Sequence, residues 1–288
     1  MLGSAMPDLP ETLAQLGRLL GDPVSDARSL SGGCVADVRV LTLESGRRVV
    51  AKIGGPDLDI EGRMLNHLGE RSDLPVPRVL HAEADLLVME HIEHAGGSGW
   101  GRHLADLLAA LHGITSLDGR FGYASPTLIG PIRLENGWAS DWGGFYRDAR
   151  VLPLIDEASR RGNLAHGLER RLRSYAERVG DDLDHAPPAS LVHGDVWSGN
   201  VLASGKSVVA LIDPSVVYAD PEFELAFIAL FSTGGREFFE RYAEHRPIDD
   251  GFFERRVFIY QLFPLLVHVA LFGGGYAAQL DSTLRRLE

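Results

Sequence analysis

The chain has 288 residues, 45% hydrophobic and 24% charged, enough apolar material for one large domain or two modest lobes with a buried core. A formal net charge of -12 excludes the clustered Lys and Arg that a nucleic-acid backbone demands, and suits neutral or cationic small ligands. The one cysteine, Cys34, cannot close an internal disulfide, and no basic-then-apolar leader opens the chain, so a cytoplasmic protein is expected.

Apolar positions at helical spacing predict a helix over 9–20, stopped by Gly21-Asp22-Pro23. After Ser31-Gly32-Gly33 the pattern changes, and 38–43 and 47–53 read as the strands of a hairpin turning at Glu44-Ser45-Gly46. Ile60, Met64 and Leu68, four apart, predict an amphipathic helix; Pro75 and Pro77 break it, and 86–89 is apolar enough for a further strand. From Gly96 onward the signals are helical, beginning with Leu104, Leu107, Leu108 and Leu111. The expected fold class is therefore α+β in two lobes, a small sheet-rich N-lobe over 1–90 and a larger helical C-lobe over 91–288, joined near 90–99.

Within the second part, 119–136 is a long stretch with interspersed prolines and glycines and no period that assigns it a role, while 191–202 and 208–213 read as short strand-and-loop pieces between helices. The segment 257–280 carries no Asp, Glu, Lys or Arg and approaches the length of a bilayer span. Gln261, Pro264 and His268 interrupt it, and Gly273-Gly274-Gly275 would end a helix after about sixteen residues, so a buried central helix is expected and no membrane partner.

The segment His193-Gly194-Asp195-Val196-Trp197-Ser198-Gly199-Asn200 is followed thirteen residues later by Asp213, at the end of an apolar run. Phosphoryl transfer needs a carboxylate beside the attacking hydroxyl and oxygen ligands for magnesium, and this spacing supplies both. An Asp with Asn five positions on matches a kinase catalytic loop, and an Asp closing the next strand matches its second metal ligand. His-Gly-Asp alone would be only a turn; the Asn, the strand and the Ile-Asp-Pro ending together argue for chemistry.

Upstream, Val49-Val50-Ala51-Lys52 is a strand ending in lysine, and Glu61 lies on the helix that follows. A kinase uses such a lysine against the α- and β-phosphates and a glutamate to hold it, whereas the competing reading is a surface ion pair of little worth. Of the 28 basic residues only Lys52 and Lys206 are lysine, which favours the functional reading because a compact ammonium is not replaceable by arginine. Ser31-Gly32-Gly33-Cys34, one hairpin earlier, could bring backbone amides to the phosphates. Cys34 there is either a small buried residue or an accessible thiol whose oxidation would exclude ATP.

Four segments resemble the fructosamine-3-kinase (ketosamine kinase) family, in the aminoglycoside phosphotransferase-like branch of the protein-kinase-like fold: Ser31-Gly32-Gly33-Cys34, Leu191 through Asn200, Leu211-Ile-Asp-Pro214 and Tyr260-Gln-Leu-Phe263. Phe121-Gly122, Asp141-Trp142 and Phe272-Gly273 extend the resemblance over most of the chain, and the Trp two residues after Asp195 is its most specific element. The resemblance implies ATP- and Mg2+-dependent phosphorylation of a sugar hydroxyl on a small-molecule or protein-bound ketosamine. It implies Asp195 as the catalytic carboxylate, Asn200 and Asp213 as magnesium ligands, and nucleotide binding by Gly32, Gly33, Cys34, Lys52 and Glu61. Adenine is expected at the hinge Met89-Glu90-His91-Ile92.

Trp197 is expected either to pack against the acceptor or to anchor the loop in the large lobe, His268 either to touch substrate or to be a core histidine, and His193 to brace the loop. Pro264, Val267 and Glu224 depart from the family's usual His, Asn and Asp. Competing functions are a kinase for an aminoglycoside or an amino alcohol such as choline, and an inactive nucleotide-binding module. The last normally lacks the lysine, the base or a metal ligand, and none is missing here.

Overall fold

The structure, a computed structural model, describes residues 9–30 and 36–288. Helix α1 (Leu9–Leu20) precedes five strands, β1 (Val24–Ser29), β2 (Asp37–Leu43), β3 (Arg48–Ile53), β4 (Val79–Glu83) and β5 (Leu86–Glu90), with helix α2 (Leu58–Arg71) between β3 and β4. The strands form one antiparallel sheet in the order β1-β2-β3-β5-β4. Gly46, at φ 83°, makes the expected β2–β3 turn, where its amide reaches the Leu43 carbonyl at 2.9 Å. Two strands go beyond the expectation. β1, Val-Ser-Asp-Ala-Arg-Ser, is a polar edge with no buried residue, and β4 follows the two prolines; pairing with β2 and β5 creates them rather than any apolar alternation of their own.

Alternation along β3 orients the lysine. Val49, Ala51 and Ile53 face a small core with Leu41, Leu43, Val88 and Leu16, which sends Val50 and Lys52 to the opposite face. In register, Lys52 lies beside Val38 on β2 and Leu87 on β5. Helix α2 buries Ile60, Met64 and Leu68, as their spacing predicts, yet it does so in the large core shared with the helical lobe. Its first turn is thereby wedged between the two parts of the molecule.

The helical lobe begins with α3 (Gly101–Leu111), a small hairpin of β6 (Thr127–Ile129) and β7 (Ile132–Leu134), and helices α4 (Trp142–Tyr146), α5 (Leu152–Arg160) and α6 (His166–Ala176). The β6–β7 hairpin is what the unassigned stretch 119–136 contains. Short strands β8 (Ser190–Val192), β9 (Val201–Ser204), β10 (Ser207–Leu211) and β11 (Val217–Ala219) follow, paired β8 with β11 and β9 with β10. Helices α7 (Pro221–Phe231), α8 (Gly235–His245), α9 (Val257–Phe272) and α10 (Gly275–Leu284) complete the chain.

Helix α9 has the sixteen residues expected of it and stops at Gly273, φ 61°. With the turn before it, Phe252–Phe272 is long and apolar enough to cross a bilayer, but 61% of that window is buried inside the fold, which makes it a core helix. The lobes touch where the Leu211 amide reaches the Pro75 carbonyl at 2.8 Å, and this contact hangs the end of β10 beneath the sheet.

Candidate active site

Three charged groups from distant parts of the chain meet under the sheet. Lys52 Nζ donates to Glu61 Oε1 and Oε2 at 2.8 and 2.9 Å, and to Asp213 Oδ1 at 2.5 Å. Burial by itself would lower the Lys52 pKa; the carboxylates of Glu61 and Asp213 outweigh it and hold the ammonium above its ordinary value. Lys52 is therefore a permanent cation. Asp213 takes φ 53°, a left-handed backbone conformation uncommon outside glycine. It follows β10 by two residues, and the Ile212 amide, bonded to the Asn200 carbonyl at 3.0 Å, ties that turn to the neighbouring loop.

The loop between β8 and β9 carries the second half of the site. Gly194 sits at φ 86°, and a Cβ there would lie 2.0 Å from the Ser215 carbonyl oxygen, so only glycine fits. The Ser215 amide donates to the His193 carbonyl at 2.7 Å, and the Asp195 amide approaches His193 Nδ1 at 3.3 Å. His193 is fully buried, a placement suited to bracing. Asn200 Nδ2 donates to the Asp195 carbonyl at 2.9 Å and to its Oδ2 at 3.0 Å. Burial and then the nearby Asp213 charge push the Asp195 pKa up to about 8, against the pull of the Asn200 hydrogen bond.

A brace that sequence reading had noted only as a departure lies behind this loop. Glu224, on α7, accepts from the Gly194 amide at 2.6 Å through Oε1, while its Oε2 lies 2.8 Å from His112 Nε2. His112 Nδ1 in turn meets the Tyr242 hydroxyl at 2.7 Å. The Glu224 and His112 side chains are wholly inaccessible, and every oxygen and nitrogen is used. A second acid two residues past Glu222, at the start of an otherwise apolar helix, was the available signal. A second hydrogen-bonded cluster caps α7: Asp220 accepts from the Glu222 amide, from Tyr260 and from His185, and Arg256 takes both Glu222 oxygens. His185, Asp220 and Glu222 lie close enough to share a metal ion, but these bonds already occupy the carboxylates.

Two cavities open onto the charged groups. One, of 420 Å³, is lined by Leu30, Val38, Val50 and Leu202 and by all four hinge residues Met89, Glu90, His91 and Ile92. The other, of 220 Å³, is lined by Glu61, Asp195 and, unforeseen, Leu128 and Gly130 of the β6–β7 hairpin. Lys52, Trp197, Asn200 and Asp213 line both, so the cavities form one chamber. Asn200 and Asp213 bring oxygen donors to one wall, a set that fits Mg2+, which prefers carboxylate and amide oxygen.

Trp197 is 44% exposed; its indole lies flat over Gly199, where an added Cβ would come within 2.2 Å of the ring. His268 lines neither cavity, and its Nδ1 donates to the Pro264 carbonyl at 2.7 Å. Gly32, Gly33 and Cys34 lie outside the described residues.

A sheet-rich lobe over a helical one, with a lysine–glutamate pair above an Asp/Asn loop and a second Asp, defines a phosphotransferase of the protein-kinase-like fold. The sequence profile of the fructosamine kinase family matches residues 10–288, and the chain belongs to that family. It is 34% identical over 223 residues to a protein named as a ketoamine kinase of Staphylococcus aureus, covering 76% of this chain and 77% of that one. The ketosamine-3-kinase of Mus musculus is 28% identical over 291 residues, 89% of this chain and 93% of the other. The crystal structure described as a fructosamine-3-kinase from Thermobifida fusca superposes with a TM-score of 0.85 at 28% identity, covering 97% and 99% of the two chains.

Proposed function

We propose that this kinase uses ATP and Mg2+ to phosphorylate a sugar hydroxyl of a ketosamine in the cytoplasm, with residues 1–90 and 91–288 as its two lobes. The observation that carries the reading is the convergence of Lys52, Asp195, Asn200 and Asp213 on one chamber, in a member of the fructosamine kinase family. ATP supplies the phosphoryl group, and magnesium supplies charge neutralisation on its phosphates.

The chain's own residues position and accept protons. The apolar cavity walls at Val38, Val50 and Leu202 sandwich the adenine, and the hinge Met89-Glu90-His91-Ile92 borders its edge. Lys52, held by Glu61, presents a fixed cation to the α- and β-phosphates, and Asp213, whose Oδ1 accepts from the same ammonium, would join Asn200 as a metal ligand. Asp195 in its ionised form, its Oδ2 oriented by Asn200, takes the proton of the attacking hydroxyl as that oxygen bonds to the γ-phosphorus and the bond from the γ-phosphorus to the ADP oxygen breaks, releasing ADP. Trp197 offers an exposed flat face for the C–H side of the sugar.

The deciding experiment measures ADP release from the full chain with ATP, Mg2+ and each of fructosyl-lysine, ribulosyl-lysine, kanamycin and choline. Turnover of a ketosamine is expected. Turnover confined to kanamycin or choline would replace the acceptor class, and none with any acceptor would favour an inactive nucleotide-binding module.

A further inference from the structure

One buried cation has no part in the reading so far. Arg150, in the π-helical turn Arg147–Val151 between α4 and α5, is 1% exposed and makes no ion pair with any described residue. Asp148, two positions before it, is bonded to Arg147. The guanidinium instead donates to two neutral acceptors, the Ala149 carbonyl at 2.8 Å and Asn136 Oδ1 at 2.7 Å, and lies 4.9 Å from the centroid of the Phe145 ring. Burial with no carboxylate beside it pushes the Arg150 pKa down to about 9. A cation buried in this way works against the fold, and such a group persists where it sets up something else.

What it sets up is the orientation of Asn136. A guanidinium can only donate, so it takes the amide oxygen and turns Nδ2 the opposite way. Nδ2 then reaches the Ser125 carbonyl at 2.9 Å, Thr127 Oγ1 at 3.0 Å and the Leu134 carbonyl at 3.4 Å. Thr127 and Leu134 are the outermost register pair of the β6–β7 hairpin, so one side chain staples both strands at their base. Strands of three residues would not hold a hairpin by themselves. The other end of this hairpin borders the reaction: Leu128 and Gly130 line the cavity that holds Asp195 and not the cavity at the hinge.

We infer that Arg150 and Asn136 are positioning residues for the acceptor: by fixing the base of the β6–β7 hairpin, they set where Leu128 and Gly130 wall the Asp195 cavity. The inference rests on the kinase reading above and adds to it a determinant of acceptor binding that touches neither acceptor nor nucleotide. Neither residue lines either cavity, so the effect travels through the hairpin. This role accounts for a cation kept inside the fold with neutral acceptors only. A carboxylate at position 136 would pair with Arg150, yet it would have no proton for the Ser125 and Leu134 carbonyls.

The test is Asn136→Asp, which keeps the acceptor for Arg150 and removes the donor to the hairpin. With fructosyl-lysine as acceptor, its KM should rise roughly 3- to 10-fold, the range that losing one hydrogen bond covers, while kcat and the KM for ATP stay near their wild-type values. Leu128→Ala should give a like rise, and adding Asn136→Asp to it should change little more, because both act at the same wall. Thr127→Val, which removes a single acceptor of Nδ2, should move the acceptor KM the same way by less, and it carries the test if Asn136→Asp does not fold. A purely structural role would instead lower the active fraction, and with it kcat, and leave both KM values in place. That result, or an acceptor KM unmoved in every variant that folds, overturns the positioning role. A wild type that phosphorylates no ketosamine overturns the kinase reading, and this role with it.

Discussion

Lys52–Glu61–Asp213 and His112–Glu224–Tyr242 are built from similar parts, a carboxylate and a basic group drawn together from distant positions, and they behave oppositely. In the first, oxygens of Asp213 and Asn200 face a cavity and the strained Asp213 backbone is held by its neighbours. In the second, Glu224 and His112 have no exposed surface and each polar atom has a partner inside the fold. Unused coordinating capacity beside a cavity marks a site for ligand; saturation in the dark marks a brace. Four experiments would break or sharpen that contrast.

The largest effect on activity is expected from Asp195→Ala. Loss of the positioned carboxylate should cut turnover by roughly 10²- to 10⁴-fold, while the melting temperature holds, because no buried partner but Asn200 depends on it. A coupled ADP assay beside a thermal melt reads both, and near-wild-type turnover would remove Asp195 from the mechanism.

The brace should answer in stability instead. Glu224→Leu strands the Gly194 amide and His112 in the interior, and denaturant unfolding should show a loss of about 2–6 kcal/mol, the cost of two buried polar groups left without a partner. An unfolding midpoint like that of the wild type would contradict the bracing role.

Trp197 tests the boundary between the two kinds of group. Its indole occupies the space a side chain at 199 would need, so Gly199→Ala should swing the ring outward. Both Trp197→Ala and Gly199→Ala should lower acceptor kcat/KM by roughly 3- to 10-fold, and the double variant should match Trp197→Ala alone. Because the ring is 44% exposed, stability should change by less than about 1 kcal/mol. A loss of several kcal/mol would instead make Trp197 the anchor of its loop.

The smallest effect concerns the cap of α7. Burial pulls the His185 pKa down, but the hydrogen bond to Asp220 outweighs it, so the folded pKa stands above the ordinary 6.5. Such a group stabilises the fold fully below its unfolded pKa, and the contribution is lost as pH rises through the folded value. Unfolding midpoints compared across pH 6 to 9, roughly spanning that window, should fall slightly more for the wild type than for His185→Gln. Parallel profiles would show that the pair contributes nothing.

Much of the machinery was legible in the chain because its spacing is local. Asp195 and Asn200 lie five apart on one loop, period-two alternation turns Lys52 to the face opposite Val49, and α2 carries Glu61 directly after Ile60 and about one turn before Met64. The glycine-terminated end of α9 was likewise readable, since the run of glycines cannot continue a helix. Strands β1 and β4 were not readable, because a polar edge strand exists only through its partner's hydrogen bonds.

What the amino-acid sequence by itself determined is therefore the inventory: a strand-borne lysine, a catalytic-type loop, a following aspartate and the family they belong to. The tertiary structure decided the allocation. It set Lys52 against Asp213 across 161 positions of chain, sent Glu224 inward to hold the Gly194 amide, brought Leu128 and Gly130 to the chamber, and left His268 outside it among other aromatic rings. The physical reason is that side-chain period and turn chemistry act over a few residues, whereas whether a carboxylate is saturated or open depends on which distant groups the packed core brings within hydrogen-bond reach.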